Sequence, residues 1–561
     1  MIENKDHFKK LFDEKKYFEI ISLIKKESDQ KKINSGLLNL SGVCKLLSGN
    51  SIENYESALN DFRDAFLKEK TSQNAINGLK NFINTAVDLF DAEFRFGKPI
   101  LSEKNFDEIL LYLEKNNKLF SDRDDLVEAI IRVLKRKLDI KKVIYLLETL
   151  IEKNPSNIHL RCSLIYFNSF LKGWKQSDFL ENSKKLSNFL PTYSSSQLVN
   201  LNKSVNKKIN LAFLSSDIRS NHSVTYFLRT ILSDYNQHEF NIFLYFNNEK
   251  EDITSETFKK YASIARNISR LNDIEAINII RKDQIDIIID LMGITSNQRL
   301  SLFKNRLANH QITWCGYTNT SGLDNMDYII ADKNLIKENE KELYTEKIIY
   351  LDNIWNCHPG FNQNRIKYDS PLFKNKYFTF GSFNNFRKIN DDVINIWSSI
   401  LKKVKGSKLI LKASDSASKS KILEKFKKNN IFNSVEFVPY KKSFSDHLNE
   451  YKNIDLALDT FPYNGVTTSF ESIWMGVPVL TIKGFNFTSR CGESINRNIN
   501  LDNLIADDEN DYVNKAVNIA FDEKQIREIR NNIFKNATES PLFNKKLFSN
   551  HFFTSLKNIY N

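Results

Sequence analysis

Along the first 203 residues, apolar side chains recur every three or four positions, which is the spacing of one helix face. The segment 8–26 (FKKLFDEKKYFEIISLIKK) shows this spacing, and 37–47 (LLNLSGVCKLL) shows it again. Glycine and runs of β-branched residues are scarce in this part of the chain. The pattern predicts an all-helical region over residues 1–203.

Small residues in this region fit a repeat of paired helices. Gly42 lies in one predicted helix, while Ala58 and Ala65 lie in the next, and small side chains at such positions let two helices approach closely. Pro155 falls at a later helix-to-helix turn. The arrangement resembles a degenerate tetratricopeptide (TPR) pattern, and a plain helical bundle is the alternative.

Near residue 208 the pattern changes to apolar runs that alternate with amphipathic segments. Continuous apolar runs are typical of parallel strands covered on both faces, and the strand–helix rhythm predicts a doubly wound sheet. Residues 334–376 lack this rhythm and are predicted to be a connector, so the first lobe extends over 204–376. Its strands are predicted at 209–216, 240–246, 285–293, 312–317 and 327–332, with helices from about His222 and over 254–264.

A second strand–helix series follows the connector. Its strands are predicted at 378–384, 408–413, 435–440, 454–460 and 478–484, and the last segment, 523–560, is predicted to be helical. The fold class is therefore α/β, with two Rossmann-like lobes, the second over 377–561, preceded by the all-helical region. Because open parallel sheets bind ligands beyond the carboxyl ends of their strands, the binding site is predicted in a cleft between the lobes.

Composition narrows the function classes. The 561 residues carry a formal charge of +12, which fits either lysine-rich solvated faces or an anionic partner, and no nucleic-acid-binding motif accompanies it. The five cysteines form no CxxC pair, which favours a reducing compartment and argues against a thiolate zinc site. No signal-peptide core and no run of 18 apolar residues occurs, so we expect a cytoplasmic protein without a membrane span.

The most informative segment is 459–481 (DTFPYNGVTTSFESIWMGVPVLT), where a strand end leads through a loop into a helix. Thr467 and Thr468 open that helix, and hydroxyls with free N–H groups at a helix start form an anion site that suits a diphosphate. The alternative is that these residues only cap the helix. Glu471, on the first turn, either accepts hydrogen bonds from ribose hydroxyls or stabilises the helix start.

Three basic side chains fall near other predicted strand ends. Lys388 either neutralises a departing diphosphate or is a solvated surface lysine. His222 is either a general base or acceptor-orienting group, or a cap at the start of the first helix of its lobe. His447 follows a strand of the second lobe and is a further candidate. Neither an HExxH motif nor paired-histidine spacing occurs, so no metal site is predicted.

Five separated motifs resemble the O-GlcNAc transferase/SPINDLY family. In chain order they are SSDIRSNHSVTYF, WCGYTNTSGLDNMDYIIAD, GSFNNFRKI, LDTFPYNGVTTSFESIWMGVPVLT and ESPLFNKK, over about residues 208–560. The resemblance implies a GT-B fold behind tetratricopeptide repeats and an inverting mechanism that requires no cofactor or metal. It also implies that a sugar moves from a nucleotide donor to Ser or Thr hydroxyls of acceptor proteins, which the helical region would hold.

The resemblance implies residue roles as well. Lys388 matches the family lysine at the donor diphosphate, and Glu471 matches the acidic residue at the ribose. His222 matches a histidine in the active-site mouth that is proposed as base. The other matching positions are Thr467 and Thr468 at the diphosphate, Asn385 in the donor site, His447 near the nucleotide and Gly316 near the donor sugar.

Four positions depart from the family pattern. Val466 stands where animal-type members have histidine, which makes the SPINDLY-type pattern nearer, and Ile294, His310 and Thr318 replace residues common in relatives. The expected function is protein O-GlcNAc transfer from UDP-GlcNAc. Two alternatives stay open: transfer of fucose from GDP-fucose or of another nucleotide-linked sugar, and a non-catalytic scaffold built on the helical repeats.

Overall fold

A computed structural model describes residues 3–29, 33–49, 52–68, 73–96, 131–132, 134–135, 138–193, 208–220, 222–361, 365, 367–412, 416–438, 441 and 443–561. Contacts between Cα atoms group the chain into two units, one of residues 1–146 with 413–423 and one of residues 147–412 with 424–561. Within the described ranges, no helix has both the length and the apolar character needed to cross a membrane.

The first unit is helical in the part that the structure describes. Asn34 begins its third helix, since the Asn34 side chain accepts a hydrogen bond from the Leu37 amide at 2.9 Å. A Cβ on Gly42 would lie 2.5 Å from the Phe62 ring, so the small residue lets the third and fourth helices pack closely. The helices are α1 (Glu3–Asp13), α2 (Tyr17–Asp29), α3 (Ser35–Ser48), α4 (Ile52–Lys68) and α5 (Gln73–Phe96), and α6 (Ile140–Lys153) follows. The helices predicted at 97–130 and 194–203 lie outside the described residues.

Two further helices, α7 (Ile158–Asn168) and α8 (Gln176–Asn188), pack on the first sheet of the second unit. Cys162 of α7 and Phe179 of α8 share a buried core with Ala212 and Leu214 of that sheet. These helices lie within the stretch 1–203 that the sequence pattern grouped as one helical region. The domain boundaries at 203 and 376 stay predictions.

The first sheet consists of β1 (Ile209–Ser215), β2 (Phe240–Phe246), β3 (Ile264–Asn267), β4 (Ile287–Asp290), β5 (His310–Thr313), β6 (Tyr328–Ala331) and β7 (Lys347–Tyr350). Its seven strands are parallel in the order β3-β2-β1-β4-β5-β6-β7. The central strands β1 and β4 are buried along their whole length, as their apolar runs predict. The intervening helices are α9 (Ser223–Leu232), α10 (Ile253–Lys259), α11 (Asp273–Lys282) and α12 (Leu300–Phe303).

The second sheet consists of β8 (Thr379–Ser382), β9 (Lys408–Lys412), β10 (Val435–Val438), β11 (Leu456–Leu458), β12 (Val479–Ile482) and β13 (Ile505–Ala506), in the order β10-β9-β8-β11-β12-β13. Both sheets therefore have Rossmann strand order, and it reverses between β1 and β4 and between β8 and β11. The helices of this half are α13 (Pro371–Asn375), α14 (Asp391–Lys403), α15 (Ser416–Lys428), α16 (Phe444–Asn449), α17 (Thr467–Trp474), α18 (Phe487–Arg497), α19 (Glu509–Phe521), α20 (Glu523–Asn536) and α21 (Lys545–Tyr560).

The sequence pattern identified the central strands and missed three outer ones. Strand β7 lies in the stretch predicted to be a connector, and β3 and β13 were not predicted at all. Strands β3 and β7 are edge strands with mostly exposed or half-buried residues, so they lack the continuous apolar run of a central strand. Strand β13 has only two residues, which is too short for any periodic signal.

The two lobes of the second unit are joined by buried polar contacts. Arg490 of α18 is buried and donates to both Glu340 oxygens in the other lobe, with an Nη2–Oε1 distance of 2.8 Å. The same guanidinium donates to the Leu335 carbonyl at 3.2 Å. The Thr318 and Thr488 hydroxyl oxygens lie 3.0 Å apart, so the lobes also meet beside the predicted site.

The C-terminal helix α21 returns to the first lobe. Phe552 packs against Trp314 with ring centroids 4.8 Å apart, and Phe553 packs against Phe240 at the same distance. Lys557 pairs with Glu239 at 2.7 Å. The chain thus leaves the second lobe and ends in a helix that packs on the first.

The Arg490 contact gives the first prediction. Replacing Arg490 with Met removes the charged partner of Glu340 and the donor to the Leu335 and Gly484 carbonyls, and we expect the free energy of unfolding to fall by about 3 kcal/mol. Urea denaturation followed by circular dichroism measures this loss. The control is Lys185→Met, which removes an exposed ion pair with Glu181 and should change little. Equal stability of the two variants would show that the lobes do not depend on Arg490.

Candidate functional site

The candidate site lies where β8 and β11 end side by side. The loop 459–466 leaves β11 and leads into α17, which begins at Thr467. Val466 precedes the helix and supplies no side-chain cap. The amides of Thr467 and Thr468, the first two of α17, therefore lack the hydroxyl or carboxylate of a residue at the cap position, which usually accepts from a helix start.

Thr468 connects this helix start to the end of β8. Its hydroxyl donates to the Asn384 side-chain oxygen at 3.0 Å. A Cβ on Gly465 would lie 2.6 Å from the Thr468 hydroxyl and 2.9 Å from the same Asn384 oxygen, so a larger residue here would displace both groups. Thr467 is half-buried at the first helical position. The buried amide in this site is thus Asn384, whereas its predicted neighbour Asn385 is exposed and accepts from the Arg387 amide at 3.0 Å.

Lys388 reaches the same loop from the other side. Its Nζ donates to the Asn464 carbonyl at 2.6 Å and lies 4.5 Å from the centre of the Tyr463 ring. Burial lowers the pKa of Lys388 to about 8, and the Asp459 carboxylate opposes that shift. The amine is therefore a cation at neutral pH that is held within a largely desolvated site.

Glu471 forms a buried cluster one turn into α17. Its Oε2 lies 3.0 Å from His447 Nε2 and accepts from the Tyr451 hydroxyl at 3.0 Å. The Tyr451 hydroxyl also lies 3.1 Å from the Thr468 carbonyl. Two of the predicted residues, Glu471 and His447, are thus in direct contact, and Tyr451 orients them.

His222 lies in the other lobe, at the position that precedes α9. Its Nε2 is 3.4 Å from Asp217 Oδ1, and the side chain is 28% exposed. Burial lowers the pKa of His222, while the charge of Asp217 opposes the shift. The imidazole is therefore neutral at neutral pH, which is the form that accepts a proton.

Gly316 lies beyond the end of β5 and packs against the end of β4. A Cβ at this position would lie 1.8 Å from the Leu291 carbonyl oxygen. The glycine therefore has a packing reason to be there that is independent of any ligand. Two residues further on, Thr318 makes the contact with the other lobe.

The structure gathers most of the predicted residues in one place. Those around the start of α17 are Lys388, Thr467, Thr468, Glu471 and His447, while His222 and Gly316 belong to the first lobe and Asn385 faces solvent. Four polar residues of the same site escaped the sequence argument: Asn384, Tyr451, Asp459 and Asn464. Asn384 and Asn464 each lie close in sequence to a predicted residue, so the same motifs could have identified them. No sequence feature near Tyr451 marks it as a site residue.

Comparison with known proteins places the chain among glycosyltransferases. The model of glycosyl transferase family 41 matches residues 186–358 and 362–552. This match covers both sheets and every residue of the site described above. It confirms the resemblance that the five motifs indicated.

The names of curated relatives also describe glycosyltransferases. A "probable UDP-N-acetylglucosamine--peptide N-acetylglucosaminyltransferase SPINDLY" of Solanum lycopersicum is 32% identical over 331 residues, which is 57% of this chain and 35% of the relative. The protein of the same name from Petunia hybrida is 30% identical over 364 residues, 63% of this chain and 39% of the relative. The chain thus aligns with well under half the length of these relatives.

Among solved structures, a mutant of the O-GlcNAc transferase of Thermobaculum terrenum superposes with a TM-score of 0.72 at 20% identity, over 97% of each chain. Similarity at this level of identity concerns the fold. It confirms the predicted class, a GT-B-type pair of Rossmann-like lobes preceded by an all-helical region.

The packing of Gly316 gives the second prediction. Gly316→Ala forces apart the ends of β4 and β5, so we expect a loss of about 3 kcal/mol in the free energy of unfolding, measured by urea denaturation. Gly36→Ala is the control, because its Cβ would meet no backbone atom, only side-chain atoms of Asn74 at 3.1 Å and of Asn34 at 3.3 Å. A Gly316→Ala protein of normal stability that fails to bind nucleotide would instead give Gly316 a role in ligand binding.

Proposed function

The chain belongs to glycosyl transferase family 41, and we propose that it is a protein O-glycosyltransferase that moves N-acetylglucosamine from UDP-GlcNAc to Ser and Thr hydroxyls. One observation carries this proposal. Lys388 and the uncapped start of α17 converge on residues 464–468, so one cation and several N–H and O–H donors face the same small volume. A diphosphate is the ligand whose charge and acceptor oxygens suit that arrangement.

In the proposed reaction, the acceptor hydroxyl attacks the anomeric carbon of the sugar in line with the leaving diphosphate. The bond between that carbon and the diphosphate oxygen breaks, and negative charge builds on the diphosphate. Lys388, the Thr467 and Thr468 groups and the positive end of the α17 dipole stabilise that charge. The Lys388 amine and the helix start are held in place before the reaction, while the Thr468 hydroxyl would exchange its Asn384 acceptor for a diphosphate oxygen.

We assign the nucleoside to the cluster of Glu471, His447 and Tyr451. Glu471 would accept hydrogen bonds from ribose hydroxyls, because Tyr451 and His447 hold its carboxylate in one orientation. The relatives named above carry UDP-N-acetylglucosamine in their names, which favours uridine for this chain too.

On the acceptor side, His222 is the group we propose as base or as the residue that positions the hydroxyl. Burial keeps its pKa below the ordinary histidine value, so it has a free nitrogen lone pair at neutral pH. The family motif is the only support for placing Gly316 at the wall of the sugar site. The same is true of Asn385 in the donor site.

We further propose that the helical region, residues 1–203, holds acceptor proteins, and that the catalytic lobes correspond to 204–376 and 377–561. Five cysteines without a disulfide in the structure suit a reducing compartment, and cytoplasmic location is therefore part of the proposal.

The third prediction concerns Lys388. Lys388→Met should reduce transfer at least about 100-fold, because it removes the cation that stabilises the leaving diphosphate. UDP release from UDP-GlcNAc and sugar incorporation into a bacterial lysate measure turnover, and the melting temperature reports the fold. Lys403→Met, at an exposed end of α14, is the matched control and should keep full activity. Retained turnover in Lys388→Met would remove the lysine from the mechanism.

The fourth prediction identifies the donor. A ligand that binds only the folded protein raises its melting temperature, by an amount set by concentration over Kd. We expect UDP and UDP-GlcNAc to stabilise the protein, and GDP and GDP-fucose to have no effect. Stabilisation by GDP-fucose alone would favour fucosyl transfer. Absence of stabilisation by every nucleotide would favour the scaffold alternative.

A further inference from the structure

Asp459 is a buried carboxylate at the end of β11 that the proposed reaction does not use. Its Oδ1 accepts hydrogen bonds from the Thr460 amide at 2.8 Å and from the Gly465 amide at 2.7 Å. Its Oδ2 accepts from the Thr481 hydroxyl at 2.9 Å. The carboxylate thus closes the loop 459–466 across its base.

We propose that Asp459 is a positioning residue of the donor site, whose oxygens fix the loop that precedes α17 and whose negative charge keeps Lys388 a cation. The effect of Asp459 on catalysis rests on the proposed function. Its structural and electrostatic parts can be tested without turnover.

The hydrogen bonds connect Asp459 to Lys388 through two residues. Asp459 holds the Gly465 amide, and the preceding carbonyl, that of Asn464, accepts the Lys388 amine at 2.6 Å. Asn464 is itself tied down, because its side-chain amide donates to the Thr460 carbonyl at 2.8 Å. A shift of Gly465 therefore moves the acceptor of the lysine and the start of α17 at the same time.

The electrostatic part follows from the groups around Lys388. Asp459 is the first of the ionisable groups whose negative form opposes the effect of burial on the Lys388 pKa, and Cys491 is the second. Tyr463 presents its ring to the amine, and the Tyr512 hydroxyl donates to the Asp459 main-chain carbonyl at 2.9 Å. Burial raises the pKa of Cys491 and of Tyr512, so both stay neutral and Asp459 supplies the negative charge.

The pKa shifts of Asp459 and Lys388 determine in which direction the loss of the Asp459 charge moves the Lys388 pKa. Burial raises the pKa of Asp459 to about 6 and lowers that of Lys388 to about 8. Between these values the carboxylate is negative and the amine positive. Removing the carboxylate charge leaves burial unopposed, so the Lys388 pKa falls further and the cation is lost at lower pH.

Asp459→Asn separates charge from geometry. The amide oxygen can replace Oδ1 and accept from both loop amides, while its NH2 group can donate to the Thr481 hydroxyl. The substitution therefore keeps the hydrogen bonds of the loop and removes the negative charge of Asp459. Thr481→Val is the control, since it removes only the hydroxyl that donates to Oδ2.

The experiment that needs no turnover measures the titration of Lys388 itself. Acetic anhydride acetylates only the unprotonated amine, and peptide mass spectrometry follows the rate at Lys388 from about pH 6 to about pH 9, with the exposed Lys403 as internal reference. We expect the midpoint in Asp459→Asn to lie about one pH unit below that of the wild type. Thr481→Val should keep the wild-type midpoint. An unchanged midpoint in Asp459→Asn overturns the proposal.

The kinetic counterpart is kcat/KM for UDP-GlcNAc over the same pH range, since this parameter reports the free enzyme. We expect its alkaline limb to move with the acetylation midpoint in Asp459→Asn, while the rate at the acidic end stays close to wild type. A purely structural role for Asp459 would lower kcat/KM equally at every pH. A wild-type protein without turnover contradicts the proposed function instead, and the acetylation result still decides the role of Asp459.

Discussion

The hydrogen bond from Lys388 to the Asn464 carbonyl fixes the geometry on which the proposed donor site depends. It links the loop after β8 to the loop after β11, the two strands at which the order of the second sheet reverses. Because these ends are neighbours, a lysine from one loop and a helix start from the other reach the same volume. Neither loop alone supplies both the cation and the row of donors.

Holding a charged amine in that place is unfavourable unless other groups compensate. Burial alone draws Lys388 toward the neutral form, and the carbonyl of Asn464, the ring of Tyr463 and the carboxylate of Asp459 each act against this. Glu471 is also a buried ionisable group with a compensating contact, because it accepts a hydrogen bond from the Tyr451 hydroxyl. The second lobe therefore carries a set of polar groups whose mutual contacts keep them oriented before a ligand arrives.

The sequence was sufficient for the two sheets because their central strands are mainly apolar, and for the start of α17 because Thr467 and Thr468 follow a strand and a short loop. It was insufficient for β3 and β13, which are exposed or very short. Within the site, the motif pointed to Asn385, yet the side chain that bonds Thr468 is Asn384. Such a one-residue difference depends on the exact turn of the backbone, which no periodic pattern encodes.

Three of the four positions that depart from the family pattern, Thr318, Ile294 and Val466, have identifiable structural roles, which bears on the scaffold alternative. Thr318 stands where proline is common, and its hydroxyl lies 3.0 Å from that of Thr488 in the other lobe, a contact that proline has no group to make. Ile294 is buried in the core of the first lobe, where an apolar side chain is the one that packs. Val466 leaves the start of α17 uncapped, which keeps its amides available to an anion. These three residues are therefore compatible with packed lobes and with the proposed anion site at the start of α17, which favours the transferase proposal over the scaffold alternative.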